Sequence, residues 1–436
     1  MGSLGSANII TGPLVIIVYA VALVLALFFL AQKPGPRWRR RTYTIVAVVV
    51  VLGGAGLGWL MTWVFDVWLD VFGVGLSANT IAWVAAGFAG LALAVVSFFR
   101  SRWWRRIAGV VGIVVFAATT ALSVNIDIGE YPTLGSVFGQ SPVDPHPLPS
   151  LSPTVALSSP LIESWVPPAN MPLAGEVSTV SIPGRVSHFA ARDAVIYLPP
   201  AALTAHPPVL PVVVTLSGQP GSPSDPLVSG HLTETLNAYA AVHHGLAPIV
   251  VSPDQLSQSD YNPMCVDGPL GNSSTYLTVD VVAWVTAHLP VSTDPAQWGI
   301  AGFSQGGTCA IQLGAAHPEL FRSILDVSGE LKPAIGDDAT TIATGFGGDA
   351  KAYSNALPLT ILKKHTPYAS TFAVFAAGEN DAIFKPFAEQ MTAAAREAGM
   401  TALYLEAPGS AHDYTTASYA FAHGFDLLSA RWGLGS

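Results

Sequence analysis

Charge is what this chain has least of. Lys, Arg, Asp and Glu make up 11% of its 436 residues, while 51% are hydrophobic. A soluble domain usually carries about 25% charged residues, so part of the chain is expected to lie in lipid. The net charge is −9, which argues against a basic nucleic-acid-binding surface. Cysteine is scarce too: Cys265 and Cys309 are the only two. A structural zinc site needs three or four ligands close in space, and two cysteines do not supply it. In an oxidising compartment the natural reading is one disulfide, with two buried thiols as the alternative. No nucleotide, flavin or metal motif occurs, so neither cofactor nor metal is expected. There are no internal repeats, the length allows two or three domains, and nothing in the sequence sets an oligomeric state.

What is present first is a series of apolar runs. Ile9 to Leu30, Thr42 to Phe65, Leu76 to Phe99 and Ile107 to Asn125 are each free of charge. A bilayer span takes about 20 apolar residues, so four transmembrane helices are expected. The first run lacks a basic flank before it and continues into further spans, unlike a signal peptide. The intervening loops sort by sign. Lys33, Arg37, Arg39, Arg40 and Arg41 fill the first, and Arg100, Arg102, Arg105 and Arg106 the third. The second holds Asp66 and Asp70 and no basic residue, and after the fourth span none appears until Arg185. Basic loops stay cytoplasmic, so both termini and everything after the fourth span are expected outside the cell. With no ionisable side chain inside the four runs, a transport path is the weaker reading and an anchor the stronger.

Residues 129–175 are rich in Pro and Ser, among them Pro142, Pro147, Pro149, Pro160, Pro167 and Pro168. Such a stretch holds no regular helix and reads as an extended linker or a wrapped arm. The expected organisation is therefore a four-span anchor over 1–128, the linker over 129–175 and a catalytic domain over 176–436. From Glu176 short Val- and Ile-rich runs alternate with helical patterns. Strands are expected at Val177–Ile182, Ala194–Leu198, Val209–Leu216, Ile249–Ser252, Trp298–Gly302, Phe321–Val327, Phe372–Ala376 and Ala402–Glu406. Helices are expected at Thr275–Leu289, Ser304–His317, Phe384–Ala398 and Tyr419–Trp432. That alternation indicates a mostly parallel sheet flanked by helices.

Gly302-Phe303-Ser304-Gln305-Gly306 matches G-x-S-x-G. That pattern forms a strand-to-helix turn projecting a serine hydroxyl, and here a strand precedes it and a helix follows. A serine nucleophile needs a base, and the chain order of this arrangement is Ser, acid, His. His412 falls in a loop just after the last expected strand, whereas His317 and His423 fall on helices. Asp381 follows the strand at Phe372–Ala376, with Glu379 as a chemically equal neighbour and Asp326 as the competitor one strand earlier. Acyl transfer also needs donors for an oxyanion. The N–H of Gln305 follows the nucleophile. The N–H of Gln219, in Ser217-Gly218-Gln219-Pro220-Gly221, is the second candidate because Pro220 has none.

These motifs, together with Gly378 to Asp381 and Gly409 to His412, resemble the esterase D and mycolyltransferase-like group of α/β-hydrolases, which includes secreted mycolyltransferases of actinobacteria. The resemblance spans roughly Val177 to Leu434 and implies a triad of Ser304, Asp381 and His412, with Gln305 and Gln219 as oxyanion donors. It also implies that Cys309 braces the nucleophile helix by pairing with Cys265. The four spans depart from the secreted mycolyltransferases. The function expected is a membrane-anchored esterase working on a lipid or cell-envelope ester through an acyl-Ser304 intermediate. An acyltransferase passing the acyl group to an alcohol is the alternative, and an inactive hydrolase-fold scaffold the third reading.

Overall fold

The computed structural model describes residues 4–69, 74–143, 146–151, 154–155, 157 and 159–435. Asp70 and both chain ends, residues 1–3 and 436, lie outside them. The chain divides into two compact units, Met1–Pro142 and Val143–Ser436.

The first unit is built on α1 (Pro13–Ala31), α2 (Arg40–Trp63), α3 (Ala78–Val96) and α4 (Trp103–Ile128). All four are long and apolar enough to cross a membrane. Their outward faces are apolar: Ile16 is 68% exposed, Leu52 67% and Val114 63%. A water-soluble bundle would bury such faces. Helices α2 and α3 approach closely through Gly54 and Gly58. A Cβ on Gly54 would lie 2.7 Å from Phe88 O, and one on Gly58 2.9 Å from Ala85 Cα. Small residues thus let the two helix backbones come close together. After α4 the chain folds back, with Leu134 N–H donating to Ala7 O at 2.9 Å and Ile9 N–H to Pro132 O at 3.1 Å.

Sequence reading put Arg105 in a basic loop. Helix α4 instead begins at Trp103, so Arg105 and Arg106 are helical, and Arg105 is fully buried. Its guanidinium donates to Ser97 Oγ at 3.2 Å and Phe29 O at 3.3 Å, and stacks over Phe28 at 4.3 Å and Phe29 at 4.8 Å. The carbonyls ending α1 and two aromatic faces thus hold a charge that sequence pattern assigns to solvent.

The second unit carries an eight-stranded sheet: β1 (Glu176–Val180), β2 (Ala194–Leu198), β3 (Val212–Leu216), β4 (Ile249–Ser252), β5 (Trp298–Phe303), β6 (Ser323–Val327), β7 (Phe372–Gly378) and β8 (Thr401–Ala407). The spatial order is β1-β2-β4-β3-β5-β6-β7-β8. Strand β2 runs antiparallel to both neighbours, and from β4 to β8 every pair is parallel. Strands β2 to β6 are buried along their whole length, which is why they read as unbroken apolar runs rather than alternating ones. The crossover helices include α5 (Leu232–Val242), α6 (Val281–His288), α7 (Gln305–Ala316) and α8 (Phe384–Glu397), and α9 (Tyr414–Arg431) follows the last strand.

The Pro/Ser-rich stretch divides between the units. Its described residues beyond 142 lie on the sheet domain: Val155 N–H donates to Pro207 O at 2.9 Å and Ile162 N–H to Gly433 O at 3.0 Å. Indole Nε1 of Trp165 donates to His244 O at 3.0 Å. That is the wrapped arm. Parallel strands bring the loops after β3, β5, β7 and β8 to one edge of the sheet, where open α/β folds bind their ligands.

Candidate active site

Ser304 ends β5 and opens α7 with φ 58° and ψ −118°. A non-glycine residue held at such a φ costs about 1–3 kcal/mol and persists only where the surroundings enforce it. Here Ser304 N–H donates to Val327 O at 2.8 Å, and Ser304 O accepts from Thr308 N–H at 3.0 Å. The two flanking glycines are steric necessities. A Cβ on Gly302 would sit 2.2 Å from Gly306 O, and one on Gly306 2.4 Å from Leu216 O.

The serine hydroxyl lies 2.9 Å from His412 Nε2, and His412 Nδ1 lies 3.3 Å from Asp381 Oδ2. A carboxylate only accepts, so Nδ1 carries the proton and Nε2 is left to accept from the Ser304 hydroxyl. The 3.3 Å separation is long, as such bonds are before substrate tightens the site. Only 7% of the His412 side chain and 2% of the Asp381 side chain are exposed, so little water screens the pair. The imidazole lies between Phe384, ring centroids 4.0 Å apart, and Phe303 at 5.0 Å, which fixes its plane.

Backbone bonds hold the acid and histidine loops together. Glu379 N–H donates to Ala407 O at 2.9 Å and Asn380 N–H to Ser410 O at 2.8 Å. Asp381 Oδ1 accepts from the N–H groups of Ile383 at 3.1 Å and Phe384 at 2.9 Å, leaving Oδ2 for the imidazole. The neighbouring carboxylates have other tasks. Glu379 Oε2 accepts from Gly409 N–H at 2.7 Å and braces the histidine loop. Asp326 is buried beside the nucleophile helix, where a Cβ on Gly307 would meet its Oδ1 at 2.6 Å. Burial pushes its carboxyl up to about 7, opposed only by a bond from the Gly329 backbone. Among the described residues it has no bond to His412. Asp413 holds the other flank of His412, accepting from Ala411 N–H at 3.0 Å and Thr416 N–H at 2.9 Å. That cap starts α9 at Tyr414, five residues before the expected Tyr419.

The loop after β3 lies against the nucleophile: a Cβ on Gly218 would be 3.5 Å from Ser304 Cβ. Gln219, the second oxyanion candidate, is in this loop, and its side-chain Nε2 donates to Asp260 O at 3.0 Å. Sequence reasoning missed the group that joins this loop to Gln305. Gln255, fully buried just after β4, donates from Nε2 to Ser217 O at 2.8 Å and to Gln305 Oε1 at 3.1 Å. Gln305 Nε2 in turn donates to Asn262 Oδ1 at 3.0 Å. One step outward, Arg192 grips Asp254 through Nε at 3.0 Å and Nη2 at 2.8 Å, and reaches Gly221 O at 3.0 Å. A buried Gln in a loop carries no sequence signature, so nothing flagged this brace.

Cys265 and Cys309 form a disulfide with Cα atoms 5.6 Å apart. It ties the loop after β4 to α7, the expected pairing. No group of three or more His, Cys, Asp or Glu among the described residues is placed to hold a metal ion.

Sheet order, the strained serine turn and the Ser304–His412–Asp381 arrangement define an α/β-hydrolase fold. The Esterase family model matches residues 190–399 of the chain. The uncharacterized protein Cgl0967/cg1104 of Corynebacterium glutamicum is 32% identical over 333 residues, covering 74% of this chain and 75% of its own length. The chain belongs to the same family as that corynebacterial protein. The matched share exceeds the second unit, residues 143–436, so the likeness reaches into the first. A ferulic acid esterase superposes with a TM-score of 0.52 at 17% identity, over 61% of this chain and 100% of its own. The S-formylglutathione hydrolase of Agrobacterium tumefaciens gives 0.50 at 18% identity, over 61% of this chain and 98% of its own. At these identities the two structures speak for the fold alone.

Proposed function

We propose that this protein is a membrane-anchored, extracytoplasmic serine esterase that cleaves a lipid or cell-envelope ester through an acyl-Ser304 intermediate. One observation carries the reading: a half-buried serine hydroxyl 2.9 Å from a histidine whose other nitrogen faces a buried carboxylate. Ser304 Oγ attacks the ester carbonyl as its proton passes to His412 Nε2, and Asp381 stabilises the imidazolium. The tetrahedral oxyanion is met by the N–H groups of Gln305 and Gln219. When the intermediate collapses, His412 returns the proton to the departing alcohol, leaving the acyl group on Ser304. Water, activated by His412 in the same way, releases the acid and restores the hydroxyl. An alcohol in place of that water would make the protein a transferase.

The substrate class rests on the anchor. Four apolar helices hold the esterase at a surface where lipid-borne esters lie. The orientation rests on the basic first and third loops, which keep to the cytoplasm and leave residues 143–436 outside. Acid quenching during turnover of an activated ester, followed by peptide mapping, tests the mechanism. The peptide containing Ser304 gains the acyl mass, and Ser304→Ala shows none. Repeating it with long-chain alcohols separates the two fates of the intermediate. An unmodified wild-type peptide under steady turnover contradicts the reading. An impermeant label reaching the second unit only after cell lysis contradicts the orientation.

A further inference from the structure

Charge in the first unit is segregated end to end. Its nine basic residues are Lys33, Arg37, Arg39, Arg40, Arg41, Arg100, Arg102, Arg105 and Arg106, and the only acids before Asn125 in the sequence are Asp66 and Asp70; Asp66 lies in the helical turn Val64–Trp68 that continues the C-terminal end of α2. Among the described residues none of the nine makes an ion pair. At the basic end lies a cavity of about 550 Å³, lined by Lys33, Arg40, Arg102, Tyr43, Trp104 and the turn around Pro34. No acid lines it. Its volume falls within the ~300–1,000 Å³ of ligand clefts.

Two further features converge there. Helices α2 and α4, of 24 and 26 residues, both begin at this cavity, and the residues that open them, Arg39 and Arg102, provide no side-chain cap. The positive dipole ends of two helices therefore border the same space as three cations. Arg105 is no counterweight: its guanidinium is consumed by the carbonyls of Phe28 and Phe29 and by Ser97. Lys33 Nζ donates to Trp38 O at 2.9 Å, a neutral partner. Loop charge sufficient to orient the helices does not require a cavity walled by cations, so orientation alone does not account for it.

We propose that this cavity seats the phosphate-bearing headgroup of an anionic lipid, with Arg40 and Arg102 on the phosphate, Lys33 at the rim and Trp104 at the interface. The inference rests on the reading of the first unit as membrane-embedded and on nothing in the esterase site. Each basic residue near an anionic surface contributes about 1 kcal/mol, so three give roughly a hundredfold preference for an anionic over a zwitterionic headgroup.

The experiment uses the full chain in nanodiscs of phosphatidylcholine, with displacement of a fluorescent phosphatidylglycerol by unlabelled lipids of matched chains. Phosphatidylglycerol is expected to compete about a hundredfold better than phosphatidylcholine. Arg40→Gln/Arg102→Gln should lose most of that preference, while Arg37→Gln/Arg39→Gln, outside the cavity, keeps it. Thermal unfolding confirms that both variants are folded. Equal competition by the two lipids, or equal loss in both double variants, overturns the site. Displacement by millimolar inorganic phosphate would show a free-anion site and overturn the lipid assignment. The underlying reading fails separately, if the protein does not float with neutral liposomes after a high-salt wash.

Discussion

Asp381, Glu379 and Asp326 are the candidate carboxylates for the acid partner of His412, and replacing each with its amide separates them. In Asp381→Asn the amide oxygen takes the place of Oδ1, which accepts from Ile383 and Phe384 at 3.1 and 2.9 Å. The amide NH2 then replaces Oδ2 and points a hydrogen at His412 Nδ1. The imidazole must accept there, so its proton moves to Nε2, the nitrogen 2.9 Å from Ser304 Oγ. A base already protonated at Nε2 does not take the serine proton. This change of tautomer costs about ten-thousandfold in kcat in the serine-protease triad, or about 5.5 kcal/mol at 1.36 kcal/mol per factor of ten. The same loss is expected here, in kcat rather than KM, with a fold held by the retained backbone bonds. Glu379→Gln keeps an oxygen for Gly409 N–H and should stay within about threefold of wild type, since its charge faces no imidazole. Asp326→Asn should also keep its activity. The assay is turnover of a soluble p-nitrophenyl ester in detergent, with thermal unfolding as the folding control. Activity of Asp381→Asn within tenfold of wild type, or a thousandfold loss in Asp326→Asn, would refute the reasoning.

Asp326 gives a second expectation, in stability against pH. Its folded carboxyl is raised from 3.8 to about 7 by burial, so between these values the folded chain holds a proton that the unfolded chain has lost. Stability therefore falls as pH climbs through that window and levels off above it. Asp326→Asn removes this term, so its unfolding free energy relative to wild type should hold steady near pH 4 and rise increasingly up to pH 7, by up to about 4 kcal/mol. A constant difference across the window would contradict it. Gln255→Ala frees the loop after β3 from Gln305 and should lower kcat about 10–100-fold with little change in KM, as small misplacements of reacting groups do. An unchanged kcat would mean the brace is dispensable. Removing the disulfide with Cys265→Ala/Cys309→Ala opens a loop with a sequence separation of 44, worth about 4 kcal/mol on chain entropy. Denaturant unfolding of wild type and variant measures it, and equal midpoints would contradict it.

The sheet-bearing unit was largely legible in the sequence because its physics is local. Buried parallel strands demand unbroken Val and Ile runs, as at Val212–Leu216, and the serine turn demands glycine at positions 302 and 306, where backbone leaves no room for a Cβ. Ser304, Asp381 and His412 follow from chain order and loop position. What escaped depends on contacts distant in sequence. Gln255 matters through partners at 217 and 305, and Arg105 through the ends of another helix. The start of α9 was misjudged because Thr415 and Thr416 are poor helix formers, and the cap from Asp413 outweighs them. Three short helices between β6 and β7, Asp338–Gly345, Ala350–Ala356 and Pro358–His365, went unread for lack of a sustained apolar period. Asp337 and Asp349, which cap the first two, were the available signals.

The central claim is that Ser304 is a nucleophile activated by His412. The measurement that tests it most directly is labelling of the full chain with a fluorophosphonate probe, followed by peptide mapping, with Ser304→Ala and His412→Ala beside wild type. The account predicts one probe mass on the wild-type peptide carrying Ser304, none on Ser304→Ala, and labelling slowed by several orders of magnitude in His412→Ala. Folded wild type left unlabelled, or labelled equally with and without His412, would contradict it.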